Sequence, residues 1–317
     1  MEYLILILSL AGIVLGADFL VKGAVVVARK CKVSSFVIGA VIVGIGTSLP
    51  ELVVSTVGAI GGNSEVAIGN VVGSNIFNVF AILGLTALFF PIAVSRENMK
   101  FEIPFCIAVS VLLMLLVYNF FVVGEPRLGR WDGVALLLVF TAFMWISLRR
   151  GKNSAAAVGE SVEEENKSLW FAAFSILGGL AALIVSSNFF VDEAVAIARK
   201  LGVSDAFISI TLLACGTSLP ELAASVTAAL KKDTDMALGN IIGSNIFNAT
   251  MILGTASLIT PLTTGKIGLV DYGAMILAAV LPMIFGIRGK ITRFEGLLML
   301  LCYAAYTWYI VTYVMAV

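Results

Sequence analysis

One seven-residue sequence, Gly-Thr-Ser-Leu-Pro-Glu-Leu, occurs twice in this chain, at 46–52 and again at 216–222. Each copy lies inside a long apolar run, where an acidic residue costs about 2.5–3.5 kcal/mol at the centre of a membrane helix. The proline of each copy has no N–H to donate, so it interrupts the helical hydrogen bonds there. A broken helix with a buried acid, present in two copies, is typical of a transporter built from two structural repeats.

The composition is that of a membrane protein. Of the 317 residues, 60% are hydrophobic and 13% are charged, whereas a soluble domain carries about 25% charged residues. Apolar stretches long enough to span a bilayer recur along the sequence. There is no histidine, which excludes imidazole metal ligands and Ser-His-Asp catalysis. The chain has no cofactor motif, so we expect no enzymatic activity and no cofactor. The net charge of zero is uninformative about nucleic acid, and we expect no nucleic-acid partner.

The hydropathy pattern predicts an all-α integral membrane protein with ten transmembrane helices. A polar, acidic segment at 149–168 separates residues 1–148 from residues 169–317, and we interpret it as a cytoplasmic linker between two five-helix repeats. Because five is an odd number, the second repeat is predicted to enter the membrane inverted. The predicted spans are 3–28, 36–59, 66–91, 101–123, 131–148, 169–198, 206–230, 236–262, 268–286 and 294–316.

The distribution of lysine and arginine predicts the orientation of these spans. With the N-terminus outside, the inside connections carry fourteen basic residues and the outside connections carry five. Both termini are therefore predicted to lie outside the cell membrane, with the linker on the cytoplasmic side.

The two halves also match in sequence. Residues 46–78 align without gaps to 216–248, and 18 of these 33 positions are identical. Inverted repeats place a substrate site near the midplane of the bilayer, where the two copies meet. Duplication alone would not require an acid in each copy, so we expect Glu51 and Glu221 to serve a function.

The repeated heptapeptide groups oxygen atoms on one helix face. Thr47, Ser48 and Glu51 are spaced i, i+1 and i+4, and the second copy repeats the set with Thr217, Ser218 and Glu221. Carboxylates, hydroxyls and freed backbone carbonyls are the ligands that hard cations such as Ca²⁺ prefer, and Na⁺ is similar. A structural alternative is a proline kink whose hydroxyls satisfy the freed backbone groups. That alternative accounts for the hydroxyls but not for the paired glutamates.

Each repeat continues with a second polar segment, Gly-Asn-x-x-Gly-Ser-Asn-Ile-Phe-Asn, at 69–78 and 239–248. Its serine and last asparagine share one helix face, and we interpret them as further ion ligands: Ser74, Asn78, Ser244 and Asn248. The remaining asparagines fit interhelical hydrogen bonds as well as ligation: Asn70, Asn75, Asn240 and Asn245. We interpret the glycines of the segment as positions of close helix packing. Asp18 and Lys22, elsewhere in the membrane, can form a structural ion pair at i, i+4.

These paired segments resemble the two α-repeats of the cation/calcium exchanger superfamily, in its prokaryotic sodium/calcium exchanger branch. The resemblance covers both halves and all ten predicted spans. It implies ten helices in two inverted five-helix repeats, with ion sites between spans 2, 3, 7 and 8. It also implies antiport of Na⁺ against Ca²⁺ in a ratio of about three to one, which moves net charge across the membrane. Spans 1 and 6 would be the sliding elements, and the monomer would be functional.

The resemblance further implies the role of individual residues. Glu51 and Glu221 would bind Ca²⁺ with the backbone carbonyls of Thr47 and Thr217, and Asn78 and Asn248 would flank this middle site. One outer Na⁺ site would have three members: Ser48, Ser74 and the Gly44 carbonyl. Its symmetry mate would have another three: Ser218, Ser244 and the Ala214 carbonyl. Potassium-dependent relatives have aspartate at the position of Asn248, so the amide here argues against K⁺ co-transport.

Other functions remain open from the residues alone. The two buried glutamates could carry protons, which would make the protein a Ca²⁺/H⁺ antiporter or another divalent cation exchanger. A membrane-embedded enzyme would need a nucleophile–base set or a cofactor motif beside the two acids, and neither accompanies them. A passive cation channel would more often use symmetric subunits around a pore.

Overall fold

The structure is a computed structural model that describes residues 2–118, 126–153, 167–201 and 214–314, most of them helical. We number the helices in chain order: α1 (Glu2–Cys31), α2 (Ser35–Thr47), α3 (Leu49–Ile60), α4 (Ser64–Phe89), α5 (Arg96–Tyr118), α6 (Arg130–Asn153), α7 (Leu169–Lys200), α8 (Ala214–Gly216), α9 (Leu219–Leu230), α10 (Thr234–Ile259), α11 (Leu269–Gly286) and α12 (Arg293–Tyr309).

These helices match the predicted spans. Within the described ranges, eight helices are long and apolar enough to cross a membrane, and α2 with α3 forms a ninth span bent by 47°. The predicted seventh span corresponds to α8 and α9, and its first part, 206–213, lies outside the described residues. Residues 119–123 of the fourth span, 315–316 of the last span and 154–166 of the linker also lie outside them. Helix α6 continues to Asn153, past its predicted end at 148.

The predicted helix breaks are confirmed. Ser48 separates α2 from α3 with φ −83° and ψ 9°, and Ser218 separates α8 from α9 with φ −92° and ψ 7°. Pro50 and Pro220 then lie in the first turn of the following helix, where a missing N–H costs no hydrogen bond. Each glutamate therefore lies in the first turn of a new helix.

The inverted arrangement of the two repeats is visible in the contacts between α4 and α10. Ser64, at the start of α4, lies 2.9 Å from Thr263, which follows α10, measured between the hydroxyl oxygens. At the opposite end, the N–H of Ala93, which follows α4, donates to the Thr234 hydroxyl at the start of α10, at 3.2 Å. The two helices therefore run antiparallel. We call these two ends of the molecule the Ser64 face and the Thr234 face.

Four two-residue strands join the two repeats by hydrogen bonds at these faces. β1 (Ile92–Ala93) pairs antiparallel with β4 (Lys290–Ile291), and β2 (Arg127–Leu128) pairs antiparallel with β3 (Leu262–Thr263). In each pair, one strand belongs to the first repeat and the other to the second. The backbone of each repeat therefore completes hydrogen bonds of the other.

Helices α1 and α7 form a separate antiparallel pair beside the core. A Cβ built on Gly16 would meet the backbone of Gly179 and Leu183, so these small residues permit the close approach. Lys200 pairs with Glu2 at 2.5 Å at the Ser64 face. The predicted Asp18–Lys22 pair is confirmed at 2.6 Å, and Asp18 also pairs with Lys231, which follows α9, at 2.7 Å.

The polar segments of both repeats are in the most enclosed part of the molecule. In the apolar stretch of α4 and of α10 that could span the membrane, 78% and 83% of the residues are buried. The corresponding share is 17–39% in the other long described spans. Helices α5, α6, α11 and α12 belong to this more exposed group, together with α1 and α7. The buried serines and asparagines of α4 and α10 therefore face the protein interior.

Candidate cation site

Two glutamates, one from each repeat, form the centre of the site. Glu51 lies in the first turn of α3 and Glu221 in the first turn of α9, and both are 0% exposed. The Ser48 hydroxyl donates to Glu221 Oε1 at 2.7 Å, and the Ser218 hydroxyl donates to Glu51 Oε1 at 3.0 Å. Each carboxylate is therefore held by the serine that precedes the other. The second oxygen of each, Oε2, is buried and has no hydrogen-bond partner in the described part of the chain.

Each glutamate is fixed to the neighbouring helix through its backbone. Asn70 of α4 donates to the Glu51 carbonyl at 3.2 Å and to the Ser55 hydroxyl at 3.0 Å. Asn240 of α10 repeats the arrangement, donating to the Glu221 carbonyl at 3.2 Å and to Ser225 at 2.8 Å. These are the interhelical hydrogen bonds that the sequence allowed as an alternative to ligation.

Ser55 and Ser225 did not figure among the sequence-based candidates. Each lies four residues after a glutamate, so it occupies the same helix face, and each recurs in the other repeat. That recurrence was a signal that could have identified them.

The second polar segment supplies two amide groups beside the carboxylates. Asn78 begins a π-helical turn, Asn78–Leu83, which packs against α9, and Asn248 begins a π-helical turn, Asn248–Ile252, which packs against α3. Such turns within α-helices frequently occur at functional sites. The Oδ1 atoms of Asn78 and Asn248 are also buried, and like Oε2 of each glutamate they have no hydrogen-bond partner among the described residues.

The outer positions differ from the grouping implied by the sequence. The Ser244 hydroxyl donates to the Gly44 carbonyl at 3.2 Å, so Gly44 is paired with Ser244 and not with Ser74. This contact forms because α2 packs on α10 of the opposite repeat, and the membership of each Na⁺ site stays a prediction. Thr47 lies in the same region, where its hydroxyl donates to the Val43 carbonyl at 3.0 Å.

The corresponding hydroxyls of the other outer position have no such contacts. Among the residues that the structure describes, Ser74 Oγ and Thr217 Oγ1 are both buried without a hydrogen-bond partner. Ala214 begins α8, and its side chain lies outside the described residues.

Four of the buried oxygens without a partner can only accept hydrogen bonds. They are Oε2 of Glu51 and Glu221 and Oδ1 of Asn78 and Asn248. A buried polar atom without a partner is costly, and a hard cation is the partner that such oxygens prefer. We call Glu51, Asn78, Glu221 and Asn248 the central cluster. The described residues contain no group of three or more acidic, histidine or cysteine side chains arranged for a metal, so the two glutamates are its acids.

Buried oxygen ligands supplied in matching pairs by two inverted membrane repeats define a secondary active transporter for cations. Comparison with known proteins gives the same result. Residues 1–149 and 171–312 match the family described as sodium/calcium exchanger protein, and the chain belongs to that family. It is therefore a cation antiporter that spans the membrane several times, and it is not an enzyme.

Individual relatives cover nearly the whole chain. The sodium/calcium exchanger MaX1 of Methanosarcina acetivorans is 35% identical over 96% of this chain and 97% of its own length. The putative antiporter CaxA of Alkalimonas amylolytica is 37% identical over 95% of this chain and 96% of its own length. A solved structure of the sodium-calcium exchanger NCX_Mj superposes with a TM-score of 0.83 at 32% identity, covering 98% of both chains. The fold is thus ten transmembrane helices in two inverted five-helix repeats.

Proposed function

We propose that this chain exchanges Na⁺ for Ca²⁺ across the cell membrane, with the central cluster as the Ca²⁺ site. The observation that carries the proposal is the pair of fully buried glutamates, each with one oxygen bonded across the repeat boundary and one oxygen without a partner. Two carboxylates neutralise one Ca²⁺, and the amide oxygens of Asn78 and Asn248 add neutral ligands. The Thr47 and Thr217 carbonyls complete the shell.

Charge balance accounts for the coupling of the two ions. With the site empty, two carboxylates would remain buried and uncompensated, and this is too costly to carry through the apolar barrier. Three Na⁺ would exceed the charge of the carboxylates by one, and moving that net charge is worth about 2.3 kcal/mol per 100 mV. Transport is therefore electrogenic, and each ion leaves only when the other replaces it.

Two Na⁺ sites flank the central cluster in this proposal. One, toward the Thr234 face, consists of Ser48, Ser244 and the Gly44 carbonyl, where Na⁺ would replace the Ser244 hydroxyl as the partner of that carbonyl. The other, toward the Ser64 face, consists of Ser74, Ser218 and the Ala214 carbonyl. The unpartnered hydroxyl of Ser74 supports it, because a buried hydroxyl oxygen is a ready ligand for Na⁺.

Alternating access would move the α1–α7 pair past the core of the monomer. These helices pack closely against each other through Gly16 and Gly179, so they would move as one unit. The Ser64 face and both termini lie outside the cell in this proposal. Cys31 is exposed at the end of α1, on the opposite face. An impermeant thiol reagent added to intact cells should therefore leave Cys31 unmodified and should modify it in inverted vesicles.

The decisive experiment is uptake of radioactive Ca²⁺ into proteoliposomes loaded with Na⁺ and diluted into Na⁺-free medium. Choline-loaded vesicles serve as the control, and K⁺ and pH gradients are varied separately. We expect uptake that requires internal Na⁺, ignores K⁺ and accelerates when the interior is made negative. Uptake driven by a proton gradient alone would contradict the proposal. It would instead identify a Ca²⁺/H⁺ antiporter in which Glu51 and Glu221 carry protons.

A further inference from the structure

Asn75 and Asn245 face each other across the boundary between α4 and α10, and both are buried. The amide nitrogen of Asn75 donates to the backbone carbonyl of Asn245 at 3.0 Å, and the amide nitrogen of Asn245 donates to the carbonyl of Asn75 at 3.1 Å. A backbone carbonyl can only accept a hydrogen bond. The orientation of both side-chain amides is therefore determined, with the nitrogen toward the opposite backbone and Oδ1 turned away from it.

These two oxygens determine the orientation of the next pair of amides. Oδ1 of Asn75 accepts from the amide nitrogen of Asn248 at 3.2 Å, and Oδ1 of Asn245 accepts from that of Asn78 at 3.0 Å. Since each oxygen can only accept, Asn78 and Asn248 present nitrogen to it. Their own Oδ1 atoms point the other way, and these are the two amide oxygens of the central cluster without a partner.

We infer that Asn75 and Asn245 are positioning residues, which orient the ligand oxygens of Asn248 and Asn78 without binding an ion themselves. This inference rests on the proposed function of the central cluster. If Asn78 or Asn248 rotated its amide, an N–H₂ group would face the cation. Its own Oδ1 would then face the Oδ1 of Asn245 or Asn75, so that two acceptors would oppose each other. The two backbone carbonyls at the start of the hydrogen-bond chain prevent that rotation.

The connections cross between the repeats in a specific pattern. Asn75 of the first repeat orients Asn248 of the second, and Asn245 of the second repeat orients Asn78 of the first. The effect of removing Asn75 should therefore pass through Asn248 and not through Asn78. A general contribution to helix packing would not distinguish between these two partners.

Double-mutant cycles with the purified full-length protein test this pattern, with Ca²⁺ affinity measured by calorimetric titration of CaCl₂. We expect Asn75→Ala, Asn78→Ala and Asn248→Ala each to weaken Ca²⁺ binding about tenfold. Asn75→Ala combined with Asn248→Ala should bind no more weakly than Asn248→Ala alone. The double variant Asn75→Ala with Asn78→Ala should instead bind about 100-fold more weakly than the wild type, because independent losses multiply.

The matched control is Asn98→Ala. Asn98 is also buried and also bonds across the repeats, with its amide nitrogen donating to Asp235 at 2.9 Å, but it lies at the Thr234 face. The Asn98→Ala variant should leave Ca²⁺ affinity unchanged. The reciprocal cycle of Asn245 with Asn78 repeats the test. If the alanine variants do not fold, Asn75→Ser and Asn245→Ser replace them, since serine keeps a donor for the opposite carbonyl.

Two results would overturn the inference. One is an Asn75→Ala effect that multiplies equally with both partners, and the other is an Asn75→Ala variant that binds Ca²⁺ like the wild type. In either case, loss of binding in Glu51→Gln and Glu221→Gln would leave the proposed function intact. A wild-type protein that binds neither Ca²⁺ nor Na⁺ would contradict the proposed function itself.

Discussion

The centre of the site and its two flanks differ in symmetry. At the centre, the hydrogen bonds of the two repeats match pair by pair, with Ser48 and Ser218 donating to opposite glutamates. At the flanks they do not match, since Ser244 donates to the Gly44 carbonyl whereas Ser74 has no partner within the described ranges. The serines are the same in both repeats, but Gly44 corresponds to Ala214 in the second repeat. Within the described residues, the two flanks therefore differ in this residue as well as in their hydrogen bonds.

The same contrast holds for the glycines of α4 and α10. A Cβ on Gly239 or Gly243 would meet the backbone of Phe36 or Ala40 in α2, which agrees with their interpretation as packing positions. A Cβ on Gly73 would have no atom within 4 Å in the described part of the chain. The sequence counterparts of Phe36 and Ala40, at 206 and 210, lie outside the described residues. The Thr234 side of the site is thus tightly packed by α2.

The largest effect is expected from the two carboxylates. Glu51→Gln and Glu221→Gln should each reduce Na⁺-dependent Ca²⁺ uptake at least about 100-fold, because losing one partner of a buried charge interaction costs about 3–5 kcal/mol. Glu102→Gln is the control, since Glu102 is also buried with an unpartnered oxygen but belongs to α5. Near-normal uptake by either central variant would mean that the two acids are not equivalent.

The second-largest effect is expected from the two serines that donate to the carboxylates. Ser48→Ala and Ser218→Ala each remove a hydrogen bond to a charged group, worth about 1.5–3 kcal/mol, so Ca²⁺ affinity should fall roughly 10- to 100-fold. Because the centre is symmetric, the two losses should agree within a factor of about three. A large difference, measured by calorimetry, would show that the asymmetry of the flanks extends to the centre.

A glycine pair compares the two flanks, of which the one at Gly243 packs against α2. Gly243→Ala should lower the free energy of unfolding by about 1–3 kcal/mol, because the added methyl collides with α2. Gly73→Ala should be neutral or stabilising by up to about 1 kcal/mol, since alanine favours a helix over glycine. Thermal unfolding in detergent measures both variants. Equal destabilisation would indicate that both flanks are packed in solution.

The outer hydroxyls should give the smallest effect. Ser244→Ala removes a buried hydrogen bond and should cost about 1 kcal/mol of stability, whereas Ser74→Ala removes a hydroxyl that makes none and should cost less. Both should weaken the Na⁺ dependence of Ca²⁺ uptake by a few-fold. Ser110→Ala is the control, because its hydroxyl donates only to the Cys106 carbonyl within α5. A Na⁺ dependence unchanged in Ser74→Ala would remove Ser74 from the proposed Na⁺ site.

Local features of the structure were predictable from the sequence. The spans follow from hydropathy, and the breaks at Ser48 and Ser218 follow from the prolines two residues later, because both depend on neighbouring residues alone. The repeat itself predicted that Glu51 and Glu221 would come together. The Asp18–Lys22 pair follows from helical spacing.

Features that depend on packing between the repeats were not predictable. Whether Gly44 meets Ser74 or Ser244 depends on which helix α2 packs against, and the repeat sequence offers both serines in identical surroundings. The strands β1 and β4 are two residues long and have no local pattern. The orientation of the Asn78 and Asn248 amides depends on backbone carbonyls of the opposite helix. Helical spacing along the sequence does not specify such contacts between the repeats.

The cross-repeat hydrogen bonds also impose an order on biogenesis. Ribosomes add about 5–20 residues per second, and Asn245 follows Asn75 by 170 positions. Glu51, Asn75 and Asn78 must therefore wait in the nascent chain for roughly 10–30 seconds before their partners are made. During that interval the first five helices hold polar groups that only the second five can satisfy. Two halves expressed as separate polypeptides should therefore each be unstable until they meet.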